Sequence, residues 1–150
     1  MSKILTKRVS FILLVIWLVV IFVFSNMDGD ASYSLSSNIL NGITNNSVAN
    51  VSVYDTLHLV LRKLAHVLEY FILSALTYNY LRFYNLKQNT LYILVFVFNL
   101  ICSSLDELHQ LLILDRDGRL VDVLIDSLGA IIFLIIIIII NRNATKRKSN

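Results

Sequence analysis

Apolar residues in this chain gather into four long blocks separated by short polar breaks. The pattern predicts helices over about 9–24, 57–81, 90–112 and 120–140. A membrane-crossing helix needs roughly 20 mainly apolar residues, and the last three blocks meet that length. The first is slightly short, but Arg8 can snorkel to the interface and Trp17 is tolerable within it. A cleaved signal peptide is the competing reading of 9–24, because a basic start precedes an apolar middle. Phe24-Ser25-Asn26-Met27 offers no clear small-x-small cleavage site, so a retained helix is expected.

Residues 25–56 break the pattern. They are rich in Ser and Asn, and their only charges are Asp28, Asp30 and Asp55. This stretch reads as a polar loop outside the membrane. Within it Leu35, Ile39 and Ile43 recur at spacing four, which fits a short amphipathic helix lying on the membrane surface. A short basic turn containing Arg82 and Lys87 separates the second and third helices. The loop Asp115-Arg116-Asp117-Gly118-Arg119 separates the third and fourth, and 141–150 forms a basic tail.

Composition agrees with the pattern. The chain has 150 residues, 57% hydrophobic and 15% charged, against about 25% charged in soluble domains. It contains no proline and four glycines, which favours long helices. The lone Cys102 has no disulfide partner and sits in an apolar run, where a buried, inert thiol is expected. The net charge of +3 matters less than its distribution. With the amino terminus inside, the cytoplasmic segments hold Lys3, Lys7, Arg8, Arg82, Lys87, Arg142, Lys146, Arg147 and Lys148, and no acid. The positive-inside rule then predicts a multi-pass protein with both termini cytoplasmic. Nucleic-acid binding is excluded, since no soluble basic surface is available for it.

That topology brings three polar stripes to one depth beneath the outer face. Arg62, His66 and Glu69 lie at i, i+4 and i+7; Asp106, His109 and Gln110 at i, i+3 and i+4; Asp122, Asp126 and Gly129 form the third, with the glycine permitting close helix approach. Charged groups inside a membrane are costly and are kept where they are paired or used. Glu107 points away from the Asp106 stripe and is expected to reach the outer headgroups. His58 and Tyr70 are expected to be interfacial or packing residues.

Lys63-Leu64-Ala65-His66-Val67-Leu68-Glu69-Tyr70, Asp106-Glu107-Leu108-His109-Gln110, then Arg116, Gly118 and Asp122-Val123-Leu124-Ile125-Asp126-Ser127-Leu128-Gly129 together resemble the VanZ-like membrane proteins. The chain departs from that pattern at Leu114-Asp115, where family members usually carry Pro-Gly before the arginine. The resemblance implies a protein of the bacterial cytoplasmic membrane and cell envelope, associated with low-level resistance to the lipoglycopeptide teicoplanin.

The residues themselves leave the chemistry open. Arg62, Lys63, Arg116 and Arg119, with Gln110, are placed to hold a phosphate headgroup of a membrane lipid or lipid-linked cell-wall intermediate. His66, Glu69, Asp106, His109, Asp122 and Asp126 are the candidates for acid–base catalysis. The same six supply nitrogen and oxygen ligands that Zn or Mn accepts, yet no compact ligand motif such as His-Glu-x-x-His is present. Against these stands a purely structural ion-pair network, in which five intramembrane carboxylates face Arg62, Lys63, the histidines and the loop arginines. A non-enzymatic factor that alters how lipids or lipoglycopeptide antibiotics partition is a further alternative. Proton-coupled transport fits less well, because the charges stay in one half of the membrane.

Overall fold

The computed structural model describes residues 6–27, 29–44, 51–113 and 120–149. Among the described residues there are five α-helices: α1 (Lys7–Ser25), α2 (Gly29–Thr44), α3 (Val51–Leu81), α4 (Gln88–Gln110) and α5 (Leu120–Ser149), with a 3₁₀ turn at Arg82–Tyr84 between α3 and α4. No strand occurs among the described residues. Thr6 caps α1 by accepting from the Val9 N–H at 3.3 Å. Asn85, with φ of 52°, takes the left-handed conformation that closes the turn after α3.

Two segments differ from the sequence expectation. The stretch 25–56 contains the short helix expected around Leu35, Ile39 and Ile43 but is helical over most of its length, because α2 occupies Gly29–Thr44 and α3 begins at Val51. The basic tail 141–150 continues α5 as far as Ser149. With no proline to stop it, a helix end so rich in Lys and Arg extends favourably, since cations complement the carboxyl-terminal dipole.

α3 is the central element. It packs against α1, α2, α4 and α5, most extensively against α5. Gly129 is the reason α5 comes so close: a Cβ there would overlap the Val67 carbonyl oxygen and lie 2.8 Å from the Phe71 nitrogen. The expected close approach through this glycine is therefore present.

Among the described residues three helices are long and apolar enough to cross a membrane: α1, α4 and Leu120–Ala144 of α5. The count expected from sequence was four. α3 falls short on apolarity although it has 31 residues, because it carries Arg62, Lys63, His66 and Glu69. Around α5, Leu124, Leu128, Ile132, Ile135 and Ile139 face outward, while Asp126 and Ser127 face in. A water-soluble protein would aggregate through such a surface; hydrocarbon solvates it. This is a membrane protein.

α3 and α5 run parallel to each other and antiparallel to α1 and α4, so the bundle has two unlike ends. At one end lie the carboxyl terminus of α1, the first half of α3, the carboxyl terminus of α4 and the start of α5. At the other, Tyr78, Leu91, Val95, Phe133 and Ile137 form a core. Asn141 seals that core by donating at 3.1 Å to both the Tyr78 and Tyr92 hydroxyls. Beside it, the Lys7 ammonium sits 4.0 Å over the Tyr84 ring.

Candidate functional site

The three polar stripes do meet at one end of the bundle, but they divide into two adjoining groups. A single turn of α3 explains the division. Arg62 and Lys63 are consecutive and so point about 100° apart on a helix. Arg62 turns toward α1 and α2, and Lys63 turns toward α5, where its ammonium pairs with Asp122.

The first group lines a cavity of about 360 Å³ between α1, α2, α3 and α4. Arg62, His66 and Glu69 project into it from α3, and Asp106 and Gln110 from α4. Gln110 steadies Asp106 by donating to its Oδ2 at 3.0 Å. The remaining wall is mainly apolar, with Trp17 and Ile21 from α1, Leu35 and Ile39 from α2, and Ile72 from α3. α2 thus roofs this cavity. Its Leu35 and Ile39 stripe faces the opening, the side chain of Ile43 lies outside the described residues, and Leu40 is buried.

His58 fixes the roof. It was expected to be merely interfacial, yet it is buried and stacks on Tyr33 with ring centroids 4.2 Å apart. Its Nε2 is also 2.7 Å from Ser36 Oγ. On the opposite wall, Trp17 donates its indole N–H to the Glu69 carbonyl at 3.0 Å, locking α1 to α3 beside the cavity.

The second group lies on the other side of His66, at the junction of α3, α4 and α5. Asp126 is fully buried. The His66 Nδ1 donates to Asp126 Oδ1 at 3.1 Å, and Ser103 Oγ donates to Oδ2 at 2.6 Å. Glu107 belongs here and not at the headgroups. It is only 5% exposed, and one ligand atom each of His66, Glu107 and Asp126 lie within 4.8 Å of one another. The signal that sequence reasoning missed is a second stripe on α4. Asn99, Ser103 and Glu107 recur at spacing four and are all buried, below apolar Leu91 and Val95 on the same face.

His66 therefore joins both groups: its Nδ1 is held by Asp126 while its ring lines the cavity. His109 joins neither. It stacks on Phe22 with centroids 5.1 Å apart and its Nε2 lies 3.1 Å from Asn26 Oδ1. The helix turn between Asp106 and His109 carries the imidazole round to α1. Arg116 and Arg119 lie outside the described residues.

Two oxygens of α3 near these groups have no hydrogen-bond partner among the described residues. One is Glu69 Oε1; the other is the hydroxyl of Tyr70, a residue that is fully buried. Leaving such an atom unsatisfied costs about 1–3 kcal/mol, so these positions are where a ligand or water gains most by binding.

A family model described as VanZ/LLP1 matches residues 10–141, nearly the whole chain and all of the site described above. The chain belongs to the VanZ/LLP1 family. No curated protein and no solved structure matches it. The family match spans both polar groups and the Gly129 contact that brings α3 and α5 together, as well as the α2 roof.

Proposed function

We propose that this VanZ-like protein acts at the outer face of a bacterial cytoplasmic membrane, where its cavity receives an amphiphile and lowers sensitivity to teicoplanin-type lipoglycopeptides. In this reading α3 is the fourth span. Its 31 residues reach about 46 Å, and its polar side chains turn inward, where neighbouring helices cover them. Both termini are then cytoplasmic, with the basic residues of α1, the 82–87 turn and the α5 tail on the inner side.

The observation that carries the proposal is the lining of the cavity. An acyl chain suits the apolar wall of Trp17, Ile21, Leu35, Ile39 and Ile72, while Arg62 and Gln110 suit an anionic headgroup or a lipid-linked pyrophosphate. A network present only to hold helices together has no use for such a space, since interhelical polar contacts average only about 0.6 kcal/mol.

The test is susceptibility to teicoplanin and vancomycin in a sensitive host at matched membrane levels. Wild type is expected to protect against teicoplanin selectively. Arg62→Ala, Glu69→Gln and the cavity-filling Ala65→Trp are expected to lose that protection. Absence of protection by wild type, or its persistence in all three variants, overturns the reading.

The His66–Asp126 pair favours a second reading, a membrane-embedded hydrolase or transferase. An aspartate that holds one imidazole nitrogen orients the other for proton transfer. This reading requires Asp126→Asn to abolish turnover of a lipid-linked phosphate substrate while the protein stays folded.

A further inference from the structure

We propose that His66, Glu107 and Asp126 bind one divalent cation, Zn²⁺ or Mn²⁺, at the junction of α3, α4 and α5. The proposal deepens the function suggested above, because His66 also lines the cavity. Three observations carry it.

The donors come first. One imidazole nitrogen and two carboxylates lie within 4.8 Å of one another, and this mixed set suits Zn²⁺ or Mn²⁺ better than Mg²⁺ or Cu⁺. In the tautomer with its proton on Nε2, His66 has the Nδ1 lone pair for an ion in place of the hydrogen bond to Asp126, and the 3.1 Å separation of Nδ1 and Asp126 Oδ1 is close to the edge spanned by two ligands each about 2.1 Å from a shared ion. A Glu107 carboxylate oxygen lies within 4.8 Å of a ligand atom of each of these residues.

Charge is the second observation. The trio carries two negative charges with a neutral imidazole, and one with a protonated imidazole. Asp126 is fully buried and Glu107 nearly so. A divalent ion held there would place positive charge directly between carboxylates whose burial is costly.

The third is the unsatisfied hydroxyl of Tyr70, one helical turn beyond His66. The residue is fully buried, its oxygen has no partner among the described residues, and the carboxylates it interacts with electrostatically are Asp106 first, then Asp126 and Glu69. Three protein ligands leave a coordination position for water, and that water is a suitable partner for the Tyr70 hydroxyl. Ser103, donating to Asp126 Oδ2 at 2.6 Å, already supplies the outer hydrogen bond that orients a ligating carboxylate.

The test uses the full-length protein purified in detergent, stripped with chelator, and exposed separately to Zn²⁺ and Mn²⁺. Wild type should retain close to one equivalent of one of these metals after desalting and should melt at a higher temperature when loaded. Glu107→Gln and His66→Asn should each lower retention at least tenfold, while His109→Ala should retain the wild-type amount. Co²⁺ loading supplies a second readout: a visible d–d spectrum in wild type that is lost in Glu107→Gln even if that variant is less stable. Wild type holding well below one equivalent of both metals overturns the proposal, as does equal retention by Glu107→Gln and His66→Asn. Failure here leaves teicoplanin protection by the cavity variants to be judged separately, so the two readings fall independently.

Discussion

The two ends of this bundle bury their interiors by opposite means. At the basic end, Tyr78, Leu91, Val95, Phe133 and Ile137 interdigitate, and Phe133 meets Tyr78 edge-on at 5.8 Å and Phe71 at 5.7 Å. At its margin Asn141 bridges two tyrosine hydroxyls. At the other end the interior holds Asp126, Glu107, Asn99, Ser103 and Gln110, all buried, with a cavity beside them. The first end is what packing alone produces. The second keeps charge and empty space where hydrocarbon would be cheaper, and this contrast points to a working site.

The largest effect that would break the comparison is expected where the two ends join. Gly129→Leu places a side chain against the backbone at Val67 and Phe71, where no neighbouring rotamer can yield. We expect a loss of at least about 3 kcal/mol, seen as the disappearance of the monodisperse peak in detergent. Both ends should fail together, because α3 and α5 run through both.

Next come matched substitutions on either side. Phe133→Ala should cost about 3–5 kcal/mol by opening a cavity in the basic-end core. Asp126→Leu should cost a similar amount, because it strips the partner from His66 and from Ser103. Asp126→Asn separates the two cases, since it keeps the volume while removing the charge. It should cost less in thermal unfolding than Asp126→Leu yet lose teicoplanin protection as fully. If Asp126→Asn protects as well as wild type, the charged end is structural and the contrast drawn above loses its functional meaning.

Much of this was legible in the sequence, for reasons particular residues make plain. The apolar blocks gave α1, α4 and α5, because hydropathy over about 20 residues is a strong signal. Arg62, His66 and Glu69 at i, i+4 and i+7 were read correctly as one face, and all three line the cavity. α2 was legible as the short amphipathic stripe Leu35, Ile39 and Ile43, but its full extent was obscured because its Ser and Asn content resembles a loop, whereas its order comes from tertiary contacts such as His58 with Tyr33 and Ser36. Glu107 was misplaced because the wheel was anchored on Asp106; only the buried Asn99, Ser103 and Glu107 stripe reveals the second inward face. That α3 and α5 pack so closely is foreshadowed by Gly129, but the identity of the opposing backbone is not.

A smaller effect is expected from Asn141→Leu. The amide donates two hydrogen bonds of 3.1 Å to Tyr78 and Tyr92, so its loss should cost about 1–2 kcal/mol. Leucine matches its volume, and thermal unfolding in detergent would measure the change. Teicoplanin protection should be untouched, because the site lies at the opposite end.

The smallest effect sharpens the boundary of the site itself. His109 shares the Asp106–Gln110 turn with two cavity residues, and proximity in sequence makes it a natural candidate for proton transfer. Its ring instead rests on Phe22 and faces Asn26 at the end of α1. A hydrogen bond and a stack at such an exposed position are together worth about 1 kcal/mol. His109→Ala should therefore shift unfolding slightly and change teicoplanin protection by less than twofold, whereas His66→Ala abolishes it. Loss of protection in His109→Ala at a normal membrane level would extend the functional surface from the cavity to the outer end of α1. The polar groups would then act as one continuous face instead of the two groups separated by His66.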